Sequence, residues 1–169
     1  MIYLKKANRQ DAEKEWTFAA ALPYDENGFI NDWSGVSMEV FEQDAVPTML
    51  AQAEGHLLPE GWVPQTCYFL WDDDVIVGLF HLRHFLCESL EEGGGHIGYT
   101  IGREYRGCGY GTAGLALVLD EARHIVPEEE IYLRVRKNNA ASLKVMLNNG
   151  GYVHHEDEDH YFVRIRKDI

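Results

Sequence analysis

Residues 103–122, REYRGCGYGTAGLALVLDEA, carry a glycine-dense loop straight into an apolar helix. Glycines let the backbone turn so that successive N–H groups converge on one spot. A helix N-terminus adds about half a positive charge there, so a loop of this kind suits a phosphate. Leu115, Val118, Leu119, Ala122, Ile125 and Val126 form one stripe at helical spacing, with Asp120, Glu121 and His124 on the other side and Pro127 ending the run. A Walker A loop is excluded, because it needs a lysine followed by serine or threonine and this loop closes on GYGTAG. Gly109, Gly111 and Gly114 also spell the GxGxxG of an NADP-type dinucleotide fold, with Arg136 and Lys137 ending the next strand as cations for a 2′-phosphate. Loop length argues against that reading. Gly102 to Cys108 intervene after the strand, whereas a dinucleotide fold sets its first glycine in the tight turn itself. Read from Arg106, the same stretch spells RxxGxG, with Thr112 next.

Outward from the loop, HIGYTIG precedes it as a β-rich run and IYLRVRK follows its helix as another. Asn138 or Asn139 then caps a helix carrying Leu143, Met146 and Leu147, closed by Gly150 and Gly151. Upstream, Thr66–Trp71 and Val75–Phe85 flank three aspartates as an antiparallel hairpin, and YVHH with YFVRIRK around EDEDH reads as a second. The front third holds a strand over Ile2–Lys6 and a helix capped by Asn8 and stopped by Pro23. A helical region from Met38 to about His56 follows, interrupted at Pro47. The order implies one domain over 1–169 of α/β (mixed α+β) class.

RxxGxG before a long apolar helix resembles the acetyl-CoA loop of the GNAT (Gcn5-related) N-acetyltransferase family, whose pattern is Q/R-x-x-G-x-G/A. NNAASLKVMLNNGGY, one strand on, is similar to the family's other recurring segment, with Asn139, Ser142 and the pair Gly150–Gly151 at the matching places. The likeness covers Val75–Tyr152 well and is nearest to a group of predicted bacterial acetyltransferases with GGHIGY before the loop. It implies a GNAT-like acyl-CoA N-acyltransferase fold, a single domain whose mostly antiparallel sheet is splayed at two parallel strands, here HIGYTI and IYLRV. It also implies acetyl-CoA as co-substrate and direct transfer of the acetyl group to a primary amine in a ternary complex. Tyr99, Thr100 and Ile101 would pair with the pantetheine arm. The backbone of Arg106, Gly107, Cys108, Gly109, Tyr110 and Gly111 would take the diphosphate, with the Thr112 hydroxyl added, and Asn139 and Ser142 would form the other wall.

For catalysis, the resemblance puts His96 where many relatives have a glutamate base, with Glu91 and Glu92 in reserve. Met146 stands where many relatives carry a tyrosine proton donor, and a thioether cannot donate. Tyr99, Tyr152 or water remains for that step, and the missing tyrosine keeps a non-catalytic acyl-CoA-binding or regulatory module as the rival reading. The family's acceptor site lies between the first helical region and the last hairpin. Both are acidic here, at Asp25, Glu26 and Asp32 and at Glu156–Asp159, so the expected acceptor is a cationic amine of a small molecule or peptide, with Trp33 a pocket candidate. Relatives often dimerise, which makes a homodimer the expected protein partner.

Net charge of −13 argues against a nucleic-acid backbone or an anionic membrane surface as partner. Cys67, Cys87 and Cys108 are odd in number and far apart, and read as reduced thiols. The N-terminus lacks the apolar core of a signal peptide and no run is long enough to span a bilayer, so the expected location is the cytoplasm. His81 and His84, three apart on a strand, and the adjacent His154 and His155 project to opposite sides, so no metal site is expected.

Overall fold

The computed structural model describes residues 1–168 and contains two antiparallel sheets set edge to edge. The first has the order β1-β4-β5-β6, from β1 (Ile2–Lys6), β4 (Gln65–Asp72), β5 (Val75–Arg83) and β6 (Ile97–Ile101). The second has the order β7-β9-β8, from β7 (Glu130–Arg136), β8 (Tyr152–Glu156) and β9 (His160–Arg166). Strand β4 is buried along Thr66–Trp71 because both its faces are covered, and period-2 alternation sorts its side chains. Tyr68 and Leu70 join Phe80, Leu82 and the stripe of α5 (Tyr110–Ile125) in one core cluster. Cys67, Phe69 and Trp71 join Leu79 in a second, against α1 (Ala12–Ala19) and α3 (Val46–Ala53).

Between these helices a two-residue-per-strand hairpin, β2 (Asp25–Glu26) with β3 (Phe29–Ile30), forms in a stretch to which the sequence reading assigned no element. The cap of α1 also differs from expectation. Asp11 is its N-cap, and Asn8 Oδ1 instead accepts from the Asp11 N–H at 3.0 Å, fixing the turn that leads in. Pro47 stands in the first turn of α3, one of the two placements expected, a helix start rather than a kink, directly after α2 (Met38–Val40) and a π-helical turn over Phe41–Ala45; its missing N–H costs least in a first turn.

The remaining elements are α4 (Glu88–Glu91) and α6 (Ala140–Asn148), whose N-cap Asn139 accepts from the Ser142 N–H at 3.3 Å. A register irregularity in β8 between Val153 and His155 turns two neighbours toward each other, and the Nδ1 atoms of His154 and His155 lie 2.8 Å apart where strict alternation would separate them.

Strands β6 and β7, linked through α5, are joined just before β6, against Tyr132 and Leu133 in the middle of β7. Gly95 bridges Leu133, and the His96 N–H donates to the Tyr132 carbonyl at 2.7 Å. Beyond that point no ladder joins them among the described residues, and both lead away from the junction with a gap between. No helix among the described residues is long and apolar enough to cross a membrane.

Candidate functional site

The gap is a cleft of about 670 Å³ whose two banks are Ile97–Ile101 of β6 and Arg134–Arg136 of β7. An antiparallel ladder with β5 pairs one edge of β6, and the edge facing β7 is left open. Open edge N–H and C=O groups demand partners, which makes this bank a template for an amide-bearing chain such as pantetheine. At the far end lies the loop before α5. Gly109 is its N-cap at φ +85°, a left-handed conformation that favours glycine, and α5 points its N-terminus at the cleft. Arg106, Gly107, Gly109, Tyr110, Gly111 and Thr112 line the cleft there. Cys108 is exposed and does not. A diphosphate fits these donors.

Several of the loop's side chains hold the loop itself. Arg106 donates through Nε to the Ile101 carbonyl at 3.0 Å and pairs with Glu26, which Arg103 also meets at 3.2 Å. Arg106 thereby holds the Glu26 carboxyl below its ordinary range. Tyr110 turns its hydroxyl out of the cleft to Asp72 at 2.6 Å. Across the gap, Tyr99 reaches from β6 to α6, its hydroxyl 2.7 Å from Ser142 Oγ and 3.3 Å from the Ser142 carbonyl. Burial pushes the Tyr99 phenol up to about 12, so it stays protonated throughout the working range. Met146, buried, sits on the same wall, and Thr100, Ile101 and Asn139 line the cleft.

His96 lies elsewhere. It is fully buried and absent from the cleft wall. Its Nδ1 accepts the Tyr132 N–H at 2.8 Å, and Nε2 therefore carries the proton toward Glu128 at 2.9 Å. Burial lowers its pKa against the opposing pull of Glu128. Both ring nitrogens are committed to joining the start of β6 to the middle of β7, and this geometry replaces the expectation of a base with that of a clasp. Tyr152, Glu91, Glu92 and Trp33 likewise do not line the cleft. Tyr152 bonds Glu130, and Trp33 packs on the second core cluster.

Two imidazoles that the sequence reading did not single out for catalysis do face the cleft. Burial, reinforced by neighbouring Arg83, pushes His81 down to about 3, so it stays neutral; its ring centroid lies 5.1 Å from that of Phe29. His160 Nδ1 lies 3.4 Å from Asp157 Oδ1, which orients the ring. The alternation along β5 and β9 was the available signal, since His81 shares its register with Arg83, and His160 lies on the face opposite the core residues Val163 and Ile165. Of the acids expected to receive a cationic acceptor, only Glu26 lines the cleft, and it is already paired. Glu156 meets Lys137 at 2.9 Å, and Asp157 caps its own turn by accepting from the Asp159 and His160 N–H groups.

One continuous cleft between two strands, with an anion-suited loop at one end and the β2–β3 hairpin along its lining, is a layout that suits a two-substrate transferase. The acetyltransferase (GNAT) domain family matches residues 3–151, and the chain belongs to that family. No curated protein matches it in sequence. Among solved structures it is similar to Mycobacterium smegmatis RimJ in complex with CoA-disulfide, at 20% identity and a TM-score of 0.68 over 99% of this chain and 82% of that one. It is similar also to the ribosomal-protein-S5-alanine acetyltransferase from Vibrio fischeri (18%, 0.67, 99% and 93%). A third is spermidine N-acetyltransferase from Vibrio cholerae in complex with CoA and spermine (15%, 0.63, 99% and 96%). At these identities the likeness is one of fold.

Proposed function

We propose that this chain is an acetyl-CoA-dependent N-acetyltransferase that acetylates a primary amine by direct attack in a ternary complex. The observation that carries the reading is the open β6 edge ending at the N-terminus of α5, a continuous track for pantetheine and diphosphate. Acetyl-CoA supplies the acyl group as a thioester. The loop N–H groups from Arg106 to Gly111 hold the diphosphate, and the backbone of Tyr99–Ile101 aligns the arm. A β6 N–H meets the charge that develops on the carbonyl oxygen. His160, oriented by Asp157, takes the ammonium's proton directly or through water, freeing the lone pair that forms the new C–N bond as the C–S bond breaks. Tyr99 gives its proton to the departing sulfur across the gap that Met146 cannot serve, and the second proton shed by the new amide nitrogen replaces it through solvent. Two of the neighbours are named for acetylating a polyamine and a ribosomal-protein alanine, which supports an amine acceptor.

Isothermal titration with acetyl-CoA, and NADPH in a parallel cell, tests the ligand. Micromolar binding of acetyl-CoA alone is expected, and binding of NADPH alone would reverse the reading of the glycines. Release of free thiol in the presence of amines then separates an enzyme from a binding module. Tyr99→Phe should lower kcat by at least about tenfold with acetyl-CoA affinity retained, and an unchanged kcat would remove the phenol from the mechanism.

A further inference from the structure

Strand alternation gives the continuous cleft two sides. Phe80 and Leu82 of β5, and Leu133 and Val135 of β7, point into the core under α5, so Arg83 and the pair Arg134 and Arg136 stand on the opposite face. The loop and α6 border the first side, and the β2–β3 hairpin borders the second. Phe29 lies within 3.9 Å, and the Arg83 guanidinium within 3.5 Å, of a Cβ built at Gly98. Arg136 lies 3.8 Å from one built at Gly28. From Gly98 to Ile101, next to the loop, β6 advances roughly 10 Å, so Arg83 stands well away from the diphosphate end.

The lining is cationic in a chain of net charge −13. Arg83, Arg106, Arg134, Arg136 and Lys144 face one carboxylate, Glu26, and that carboxylate is held by Arg103 and Arg106. Among the described residues no carboxylate pairs with Arg83, Arg134 or Arg136. Arg83 donates one Nη1 bond to the Gly95 carbonyl at 3.2 Å, while its Nε is shut from solvent without a partner. Burial, with Arg134 alongside, pushes the Arg83 guanidinium down to about 10, still charged at neutral pH. Arg83 lines the cleft with its Nη atoms beside Gly98, and a charged guanidinium there with no carboxylate partner favours a bound anion.

We propose that the acceptor is a small primary amine that itself carries an anionic group, a carboxylate or a phosphate, which Arg83 and Arg134 bind while the amine faces the thioester. The assignment rests on the transferase reading above and reverses the cationic acceptor expected from the acidic segments. Matched pairs test it: amino acids against their C-terminal amides for the carboxylate arm, phosphoethanolamine against ethanolamine for the phosphate arm, and spermidine as the cationic contrast. Thiol release is measured with acetyl-CoA, and binding by titration of CoA-saturated protein. At least one anionic amine should exceed its uncharged partner tenfold or more in kcat/KM and in affinity. Arg134→Gln, at an exposed position, should erase most of that advantage through KM rather than kcat with acetyl-CoA affinity retained, and Arg83→Lys should do so in part. If spermidine or an uncharged amine is handled as well as its anionic counterpart, or Arg134→Gln changes nothing, the proposal fails while the transferase reading stands. Failure of any anionic amine to bind CoA-saturated protein also overturns it. Absence of acetyl-CoA binding instead strikes the transferase reading itself.

Discussion

Glu15 is fully buried on α1, where its Oε2 accepts from the Asn8 N–H at 3.0 Å and its Oε1 has no partner. Burial pushes its carboxyl up from 4.5 to about 8. The folded state therefore binds this proton more tightly than the unfolded state, so the stabilisation is complete below about pH 4.5 and is lost as pH rises through about 8. The wild type should lose thermal stability relative to Glu15→Gln across that window, in melting temperatures recorded at intervals from pH 4 to pH 9; parallel curves would show Glu15 ionised in the fold. The two histidine roles separate in the same experiment. His96→Ala leaves the buried Tyr132 N–H without its acceptor and should cost roughly 2–4 kcal/mol of stability. His160→Gln should leave melting nearly unchanged and lower kcat tenfold or more. Full turnover by His160→Gln would exclude it as the base.

The helix α5 and its loop show two glycines of one motif doing different work. A Cβ on Gly109 would meet nothing within 4 Å, so the only cost of alanine there is the left-handed φ of +85°. Gly109→Ala should therefore cost about 1–2 kcal/mol of stability through loop strain and weaken acetyl-CoA binding roughly tenfold. A Cβ on Gly114 would stand 2.5 Å from Phe80 Cζ, in the core between helix and sheet. Gly114→Ala should lower stability by about 1–3 kcal/mol, and its acetyl-CoA affinity, measured well below its melting temperature, should stay near wild type. A reversed pattern would mean that the GxGxxG reading, with Gly114 in contact with ligand, had been the better one.

Over the whole molecule, ligand occupancy and stability are linked by mass action. Acetyl-CoA at a hundred times its Kd adds about 2.7 kcal/mol, which in a domain of this size raises Tm by roughly 5–10 °C. A thermal shift series with acetyl-CoA checks this, and no shift would leave the loop without its ligand. The elements around the loop were legible in sequence because they are set locally. Glycine spacing, the stripe of Leu115, Val118, Leu119 and Ala122, and the Asn139 cap each act within a turn or two of chain. Fold class followed from such local signals, and the family from the resemblance of RxxGxG and NNAASLKVMLNNGGY to its recurring segments. Tertiary structure decided what depends on which strands lie side by side. Pairing β7 against β9 and β6 against β5 left their facing edges open, turned His96 from a candidate base into a clasp, and gathered Arg83 and Arg134 from distant strands into one cleft. Of the acids that suggested a cationic acceptor, Glu26 and Glu156 are held in ion pairs and Asp25 and Asp157 in turns, and only Glu26 lines the cleft. Charge counted along a chain does not predict charge facing a cleft, because a side chain's face is set by its strand's register and its partners by the fold.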